Sequence, residues 1–186
     1  MVKRRARQRS LPPKEVQWRA DRLKMVLTDN DGVLTDTGVY YSSAGEELKR
    51  YSVRDGMAVE LLRNEGIETG IITAENSESL RRRAEKLGIR HVYLGIKDKR
   101  AHLEVLLGLT QFSIAELAYI GDDVNDLGIL KAIGEHGLTA APADAIPSVL
   151  SAVHYVASAP GGHGAFRDYA DWILSHRRKR PGLSRS

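Results

Sequence analysis

The sequence predicts an α/β fold, with a parallel sheet covered by helices on both faces and a small β-hairpin inserted near its start. Three observations carry this. Short apolar runs that suit buried strands alternate with helix-length segments, several of them closed by Gly; strands separated by helices need crossover connections, and these give a parallel sheet. The polar clusters most able to do chemistry all follow strands or open helices, which gathers them on one edge, where such sheets bind ligands. No segment repeats, and 186 residues hold one ordinary domain.

Residues 1–22 are Arg-rich and broken by Pro12-Pro13, so they read as a basic flexible N-terminal arm ending in a short docked segment around Val16 and Trp18. The domain proper is expected over 23–176, followed by a basic tail, 177–186. Met25 to Asp29 is an apolar run that stops at a carboxylate, a buried strand delivering Asp29 to its C-terminal end. Thr37 to Tyr41 and Glu47 to Ser52 flank Ser42-Ser43-Ala44-Gly45-Glu46 as a hairpin. Asp55 caps a helix to Glu65, stopped by Gly66. Ile67 to Thr73 is a strand, Asn76 to Leu87 a helix closed by Gly88, His91 to Leu94 a strand and Asp98 to Leu107 a helix. Glu116 to Ile120 is the next strand, with a helix to about Ile133. Gly137 to Ala140 and Val153 to Ala157 are short strands around a helix near 144–150, and a last helix runs from Gly164 to His176. The winding is Rossmann-like.

The net charge of +4 is unevenly spread: residues 1–22 carry +6, residues 177–186 carry +5, and the body between them carries −7. An acidic body speaks against a nucleic-acid groove, which needs its basic stripe on the folded surface, although the tails could tether weakly to polyanions. The absence of Cys excludes disulfides, thiolate metal sites and a Cys nucleophile. No apolar stretch reaches the roughly 18 residues of a membrane span, so the expectation is a cytoplasmic protein without membrane contact.

Four clusters can carry chemistry: Asp29-Asn30-Asp31-Gly32, Thr73-Ala74-Glu75, Lys99, and Gly121-Asp122-Asp123-Val124-Asn125-Asp126. Each alone is a common turn or cap pattern. Together, two acidic groups at one strand end and more at another repel unless a cation sits among them, which predicts a Mg²⁺ site with Asp29 and Asp122 as carboxylate ligands. Thr73 and Lys99 supply the hydroxyl and fixed positive charge that hold a phosphoryl group.

In this order, DxDG, a strand ending in Thr, Lys, then GDDxxD, the chain resembles the haloacid dehalogenase superfamily of aspartyl-phosphate phosphatases over about 24–174. It is similar to the capless branch that includes 3-deoxy-D-manno-octulosonate (KDO) 8-phosphate and nonulosonate (KDN) 9-phosphate phosphatases. The stretches Asp29 to Asp36, Gly45 to Lys49, Val53 to Gly56, Tyr119 to Asp123 and Gly161 to Arg167 carry the likeness. The resemblance implies that Asp29 is the nucleophile, that Asp31 is acid and then base, and that Thr73 and Lys99 hold the phosphate. It also implies that the Asp29 and Asp122 side chains and the Asp31 carbonyl bind Mg²⁺, with Asp123, Asn125 and Asp126 supporting. It further implies a HAD-like fold without a cap domain, and a homotetramer whose sites are completed by neighbouring subunits.

The substrate implied is a phosphorylated sugar acid. Within the branch, Glu75 after Thr73-Ala74, with Arg83 and Lys86 on one helix face, leans toward the nine-carbon KDN acid over the eight-carbon KDO acid, while Ala74 departs from the pattern of both; Arg81-Arg82-Arg83 also fits a solvated basic face. Arg167 is placed to pair with a substrate carboxylate, while Gly161-Gly162 with Arg167 also fits a plain linker and a solvated first turn. The rival classes are a phosphatase of nucleic-acid ends and a phospho-receiver domain, in which the accepting Asp ends a middle strand rather than the first.

Overall fold

A computed structural model describes residues 9–178. The sheet has six parallel strands: β1 (Met25–Thr28), β4 (Glu68–Ile72), β5 (His91–Tyr93), β6 (Leu117–Ile120), β7 (Leu138–Ala141) and β8 (Tyr155–Val156), in the order β5-β4-β1-β6-β7-β8. β1 lies at the centre, in register with β4 through Thr28 and Ile71 and with β6 through Thr28 and Ile120. Among the described residues, the two remaining strands, β2 (Thr35–Ser42) and β3 (Gly45–Tyr51), form the separate antiparallel hairpin, and no cap domain covers the sheet.

Alternation along the strands divides the core in two. Val26, Ile71, Ala118, Ile120 and Ala140 face one side, under α1 (Pro13–Arg22), α2 (Val53–Asn64), α3 (Glu78–Leu87) and α7 (Ala165–His176). Met25, Leu27, Ile72, Leu117, Tyr119 and Ala141 face the other, under α4 (Lys99–Thr110), α5 (Leu127–Gly134) and the short α6 (Pro147–Leu150). Successive strand side chains point to opposite faces, so strands buried on both faces are largely apolar, as Met25-Val26-Leu27 of β1 and Leu117 to Ile120 of β6 are, apart from the Tyr119 hydroxyl.

The docked segment expected around Val16 is the helix over 13–22, where Val16 and Ala20, with Leu23 just after them, form a buried stripe at helical spacing. Within it, Arg19 donates to the carbonyls of Gly134 and Gly137 at 3.1 and 2.8 Å. Trp18, expected in the docked segment beside Val16, does not dock; it is 50% exposed with the Arg22 guanidinium over its ring. Asp55 does not cap α2. Ser52 does, accepting from the Arg54 and Asp55 amides, and the Asp55 carboxylate reaches across to the start of α7. Residues 1–8 of the basic arm and the tail from 179 lie outside the described residues.

Candidate active site

The C-terminal ends of β1 and β6 and the start of α4 deliver Asp29, Asp122, Asp126 and Lys99 to one place. β1 ends in Asp29, which is buried; its Oδ1 accepts the Asn30 N–H at 2.7 Å and its Oδ2 pairs with Lys99 Nζ at 2.8 Å. Lys99 opens α4, where Asp98 caps the helix by accepting from the Ala101 amide, and its side chain is fully buried. The same ammonium sits 2.7 Å from Asp126 Oδ1. Asp126 lies in the turn of 3₁₀ helix after β6 and folds back on that turn, its Oδ2 accepting the amides of Asp122 and Asp123 at 2.9 and 3.2 Å. Asp123 caps the turn through Val124, and Asn125 is exposed.

Asp29, Asp122 and Asp126 offer carboxylate oxygens that all lie within 4.8 Å of one another. Three carboxylates against one ammonium leave the cluster electronegative. Burial, then the Asp126 charge, pushes the Asp29 carboxyl up to about 7, and burial, then Asp29 and Asp126, pushes Asp122 up to about 8. For Lys99, burial opposes the charged form, but Asp29 and Asp126 more than offset it and hold the pKa above its ordinary value.

The hydrogen bonds separate the three acids. A carboxylate offers about four lone-pair sites. Asp126 receives four donors: Lys99 and the Tyr119 phenol on Oδ1, two amides on Oδ2. Asp29 retains open positions, and Asp122 Oδ1 is buried with no hydrogen-bond partner. An orphaned buried oxygen beside a second, half-filled carboxylate fits a divalent cation with oxygen ligands.

Asp31 stands beside this cluster. Its carboxylate is gripped by Lys49 Nζ, 2.9 Å from each oxygen, with Thr35 Oγ1 and Asn30 Nδ2 at 3.2 and 3.1 Å. Lys49 comes from β3, so the hairpin orients Asp31. Gly32 turns the chain at φ +88°, and a β-carbon there would overlap the Asp122 carboxylate. Thr73 is buried beyond β4, its hydroxyl accepting the Glu75 N–H at 3.2 Å.

The chain has no matching family profile. Individual relatives decide the matter. The 3-deoxy-D-manno-octulosonate 8-phosphate phosphatase KdsC of Yersinia pestis is 39% identical over 170 residues, covering 91% of this chain and 89% of that protein. This chain belongs to the KdsC family of haloacid dehalogenase phosphatases. Among solved structures, the cobalt-bound KDO 8-phosphate phosphatase of Haemophilus influenzae superposes with a TM-score of 0.80 at 38% identity, covering 85% of this chain and 91% of that one. The Moraxella catarrhalis enzyme, solved with magnesium, phosphate and KDO, gives 0.82 at 32% identity over 88% of this chain and 92% of that one.

Within this KdsC-family site, the structure brings together Asp29, Lys99, Asp122 and Asp126, and holds Asp31, two residues after Asp29, through Lys49 of the hairpin. It does not bring the specificity candidates to them as free groups. Arg83 donates to the Ser52 carbonyl at 3.0 Å, against α2. Arg167 pairs with Asp171 on its own helix at 2.7 Å. Lys86 and Glu75 are exposed, and Ala74 is half-buried. Sequence reasoning missed two residues with roles here. Lys49 was visible only as part of the Gly45 to Lys49 likeness, and Tyr119 only as part of the Tyr119 to Asp123 likeness.

Proposed function

We propose that this chain is a Mg²⁺-dependent phosphatase of a 3-deoxy-ulosonic acid phosphate, with KDO 8-phosphate as substrate. One observation carries the reading: Asp29, with open lone pairs, pairs with Lys99 and offers a carboxylate oxygen within 4.8 Å of one from Asp122, whose Oδ1 is orphaned. The names of the relatives support the eight-carbon acid. The lean toward a nine-carbon acid is withdrawn, since it rested on Glu75, Arg83 and Lys86, and Arg83 is spent on Ser52.

In this reading an Asp29 oxygen attacks phosphorus, the bond from phosphorus to the sugar oxygen breaks, and Asp31 gives that oxygen its proton. Asp31 then takes a proton from the water that attacks the acyl phosphate, releasing inorganic phosphate and restoring Asp29. Lys49, Thr35 and Asn30 keep Asp31 aimed through both steps. Lys99 offsets charge on the transferring group, and Thr73 has a hydroxyl proton left to donate to it. The Asp29 and Asp122 side chains with the Asp31 carbonyl would hold Mg²⁺, which supplies further neutralisation of the phosphoryl oxygens.

A homotetramer completed by its hairpins is part of the proposal. Tyr40, Tyr41 and Leu48 on the hairpin and Val53 and Met57 on α2 are exposed, an apolar area suited to burial between copies. The test compares kcat/KM for the eight- and nine-carbon acid phosphates with Mg²⁺, beside Asp29→Asn. The eight-carbon substrate is expected to lead by at least tenfold and the variant to fold without turnover. Preference for the nine-carbon acid, or an active variant, overturns it.

A further inference from the structure

Tyr119 lies in β6, in the centre of the sheet, and is completely buried. Apolar residues surround it on the face shared with Leu103, Ile129 and Leu130, so volume alone would be met by Phe or Leu. A phenol there costs free energy unless its hydroxyl finds a partner. It finds two: the O–H donates to Asp126 Oδ1 at 2.6 Å, and Lys99 Nζ approaches the phenol oxygen at 3.4 Å. Lys99 Nζ also contacts that same Asp126 oxygen at 2.7 Å, so phenol, ammonium and carboxylate close a triangle.

The triangle decides where Lys99 sits. Its ammonium is held on one side by Asp29 and on the other by Asp126, and Asp126 is fixed at Oδ2 by the Asp122 and Asp123 amides. Without the phenol, Oδ1 would keep Lys99 as its only donor, and the carboxylate could turn toward the oxygens of Asp29 and Asp122, which lie within 4.8 Å. The phenol fills the fourth lone-pair site and commits Asp126 to support. Burial, reinforced by the Asp126 and Asp29 charges, keeps the phenol protonated and therefore a donor.

We propose that Tyr119 is a positioning residue: its hydroxyl locks the Asp126 carboxylate so that Lys99 is presented to Asp29 and the phosphoryl group, while Asp126 is withheld from the cation. Tyr119 is not a catalytic residue, since it touches neither Asp29 nor the open site. The kinetic consequence rests on the phosphatase reading; the geometric one does not.

The test is Tyr119→Phe in the full chain, with Ile129→Val as a packing control from the same buried cluster. Lysine-selective ¹⁵N labelling reports the buried Lys99 ammonium directly. Its resonance is expected to shift and its protons to exchange faster in Tyr119→Phe, and to stay as in the wild type in Ile129→Val. With Mg²⁺, kcat on p-nitrophenyl phosphate and on the sugar-acid phosphate should fall about tenfold to a hundredfold, the scale of one hydrogen bond to a charged group, with KM changed less than about twofold. The wild type alone offers a second measurement: a protected Tyr119 hydroxyl proton with cross-relaxation to the Lys99 ammonium. An unchanged ammonium resonance with unchanged kcat, or no protected hydroxyl, overturns the proposal. A wild type that hydrolyses no phosphoester sinks the phosphatase reading instead, and the ammonium resonance still judges the role of Tyr119.

Discussion

Gly32 sets how closely the turn after β1 approaches the acidic loop after β6. Its φ of +88° costs a residue with a β-carbon about 1–2 kcal/mol, and that carbon would also occupy the space of the Asp122 carboxylate. Gly45, at the hairpin turn, has a φ of +110° but open space around it. Both Ala substitutions should therefore lower the melting temperature, and only Gly32→Ala should move Asp122. Its turnover with Mg²⁺ is expected to fall more than about a hundredfold, while Gly45→Ala stays within about twofold; similar losses in both would make strain alone the cause. At this scale, residue type was a good guide where chemistry needs a charge. Asp29, Lys99 and Asp122 were readable because carboxylates and an ammonium at strand ends and helix starts have few other uses in combination. Tyr119 was not, because a phenol inside an apolar strand differs from Phe only through a partner seven residues away in Asp126.

Asp55 shows how one element caps another. α7 begins at a Gly164 whose φ is +110° and which has no side chain to satisfy the first amides of the helix. The buried Asp55 carboxylate from α2 accepts the Gly164 and Arg167 amides at 3.2 and 2.9 Å, while Asp144 accepts the Gly161 amide at 2.9 Å. The loop that packs on the turn after β1, where the Gly162 amide donates to the Val33 carbonyl, is thus fixed at both ends. Asp55→Ala should cost about 1–2 kcal/mol, lower the melting temperature by about 2–8 °C and speed amide exchange at Gly164 and Arg167 before that of the β1 amides. Exchange that stays slow at those two amides would show that the cap is dispensable. Local patterns exposed most elements: Gly88 closes α3, and Asp98 starts α4. Asp55 was assigned to the wrong helix because a cap 109 residues away leaves no local trace. α1 was read only as a short docked segment at the end of an arm because only Val16, Ala20 and Leu23 mark its buried stripe among charged residues.

Across the whole molecule, acidic body and basic termini meet at α1. Arg19 ties this helix to the end of α5, and Arg178 closes on Asp21 at 3.1 Å, so the chain leaves the body beside the helix by which it enters. Among the described residues no helix is long and apolar enough to cross a membrane. Next to Arg19 lies His154, buried before β8, whose Nδ1 accepts the Thr139 N–H at 3.2 Å. Burial, then the Arg19 and Arg9 charges, pulls this imidazole down to about 4. In the unfolded chain it titrates near 6.5. Above pH 6.5 neither state binds the proton, so the stabilisation from the neutral ring is fully present. Between about 6.5 and 4 the unfolded state binds it and the folded state does not, so stability falls as pH falls. The window corresponds to a loss on the order of 3 kcal/mol. The raised carboxyls of Asp29 and Asp122 act in the opposite sense, weakening the metal-free fold as pH rises, so the wild type alone would mix the two. His154→Gln retains an acceptor for Thr139 but has no proton to bind. The difference in urea unfolding free energy between wild type and this variant should therefore shrink by roughly that amount from pH 7 to pH 4, since the site carboxyls cancel in the comparison. A difference that stays flat across the window would mean that His154 takes up its proton in the folded protein without cost, and that α1 does not seal it from solvent.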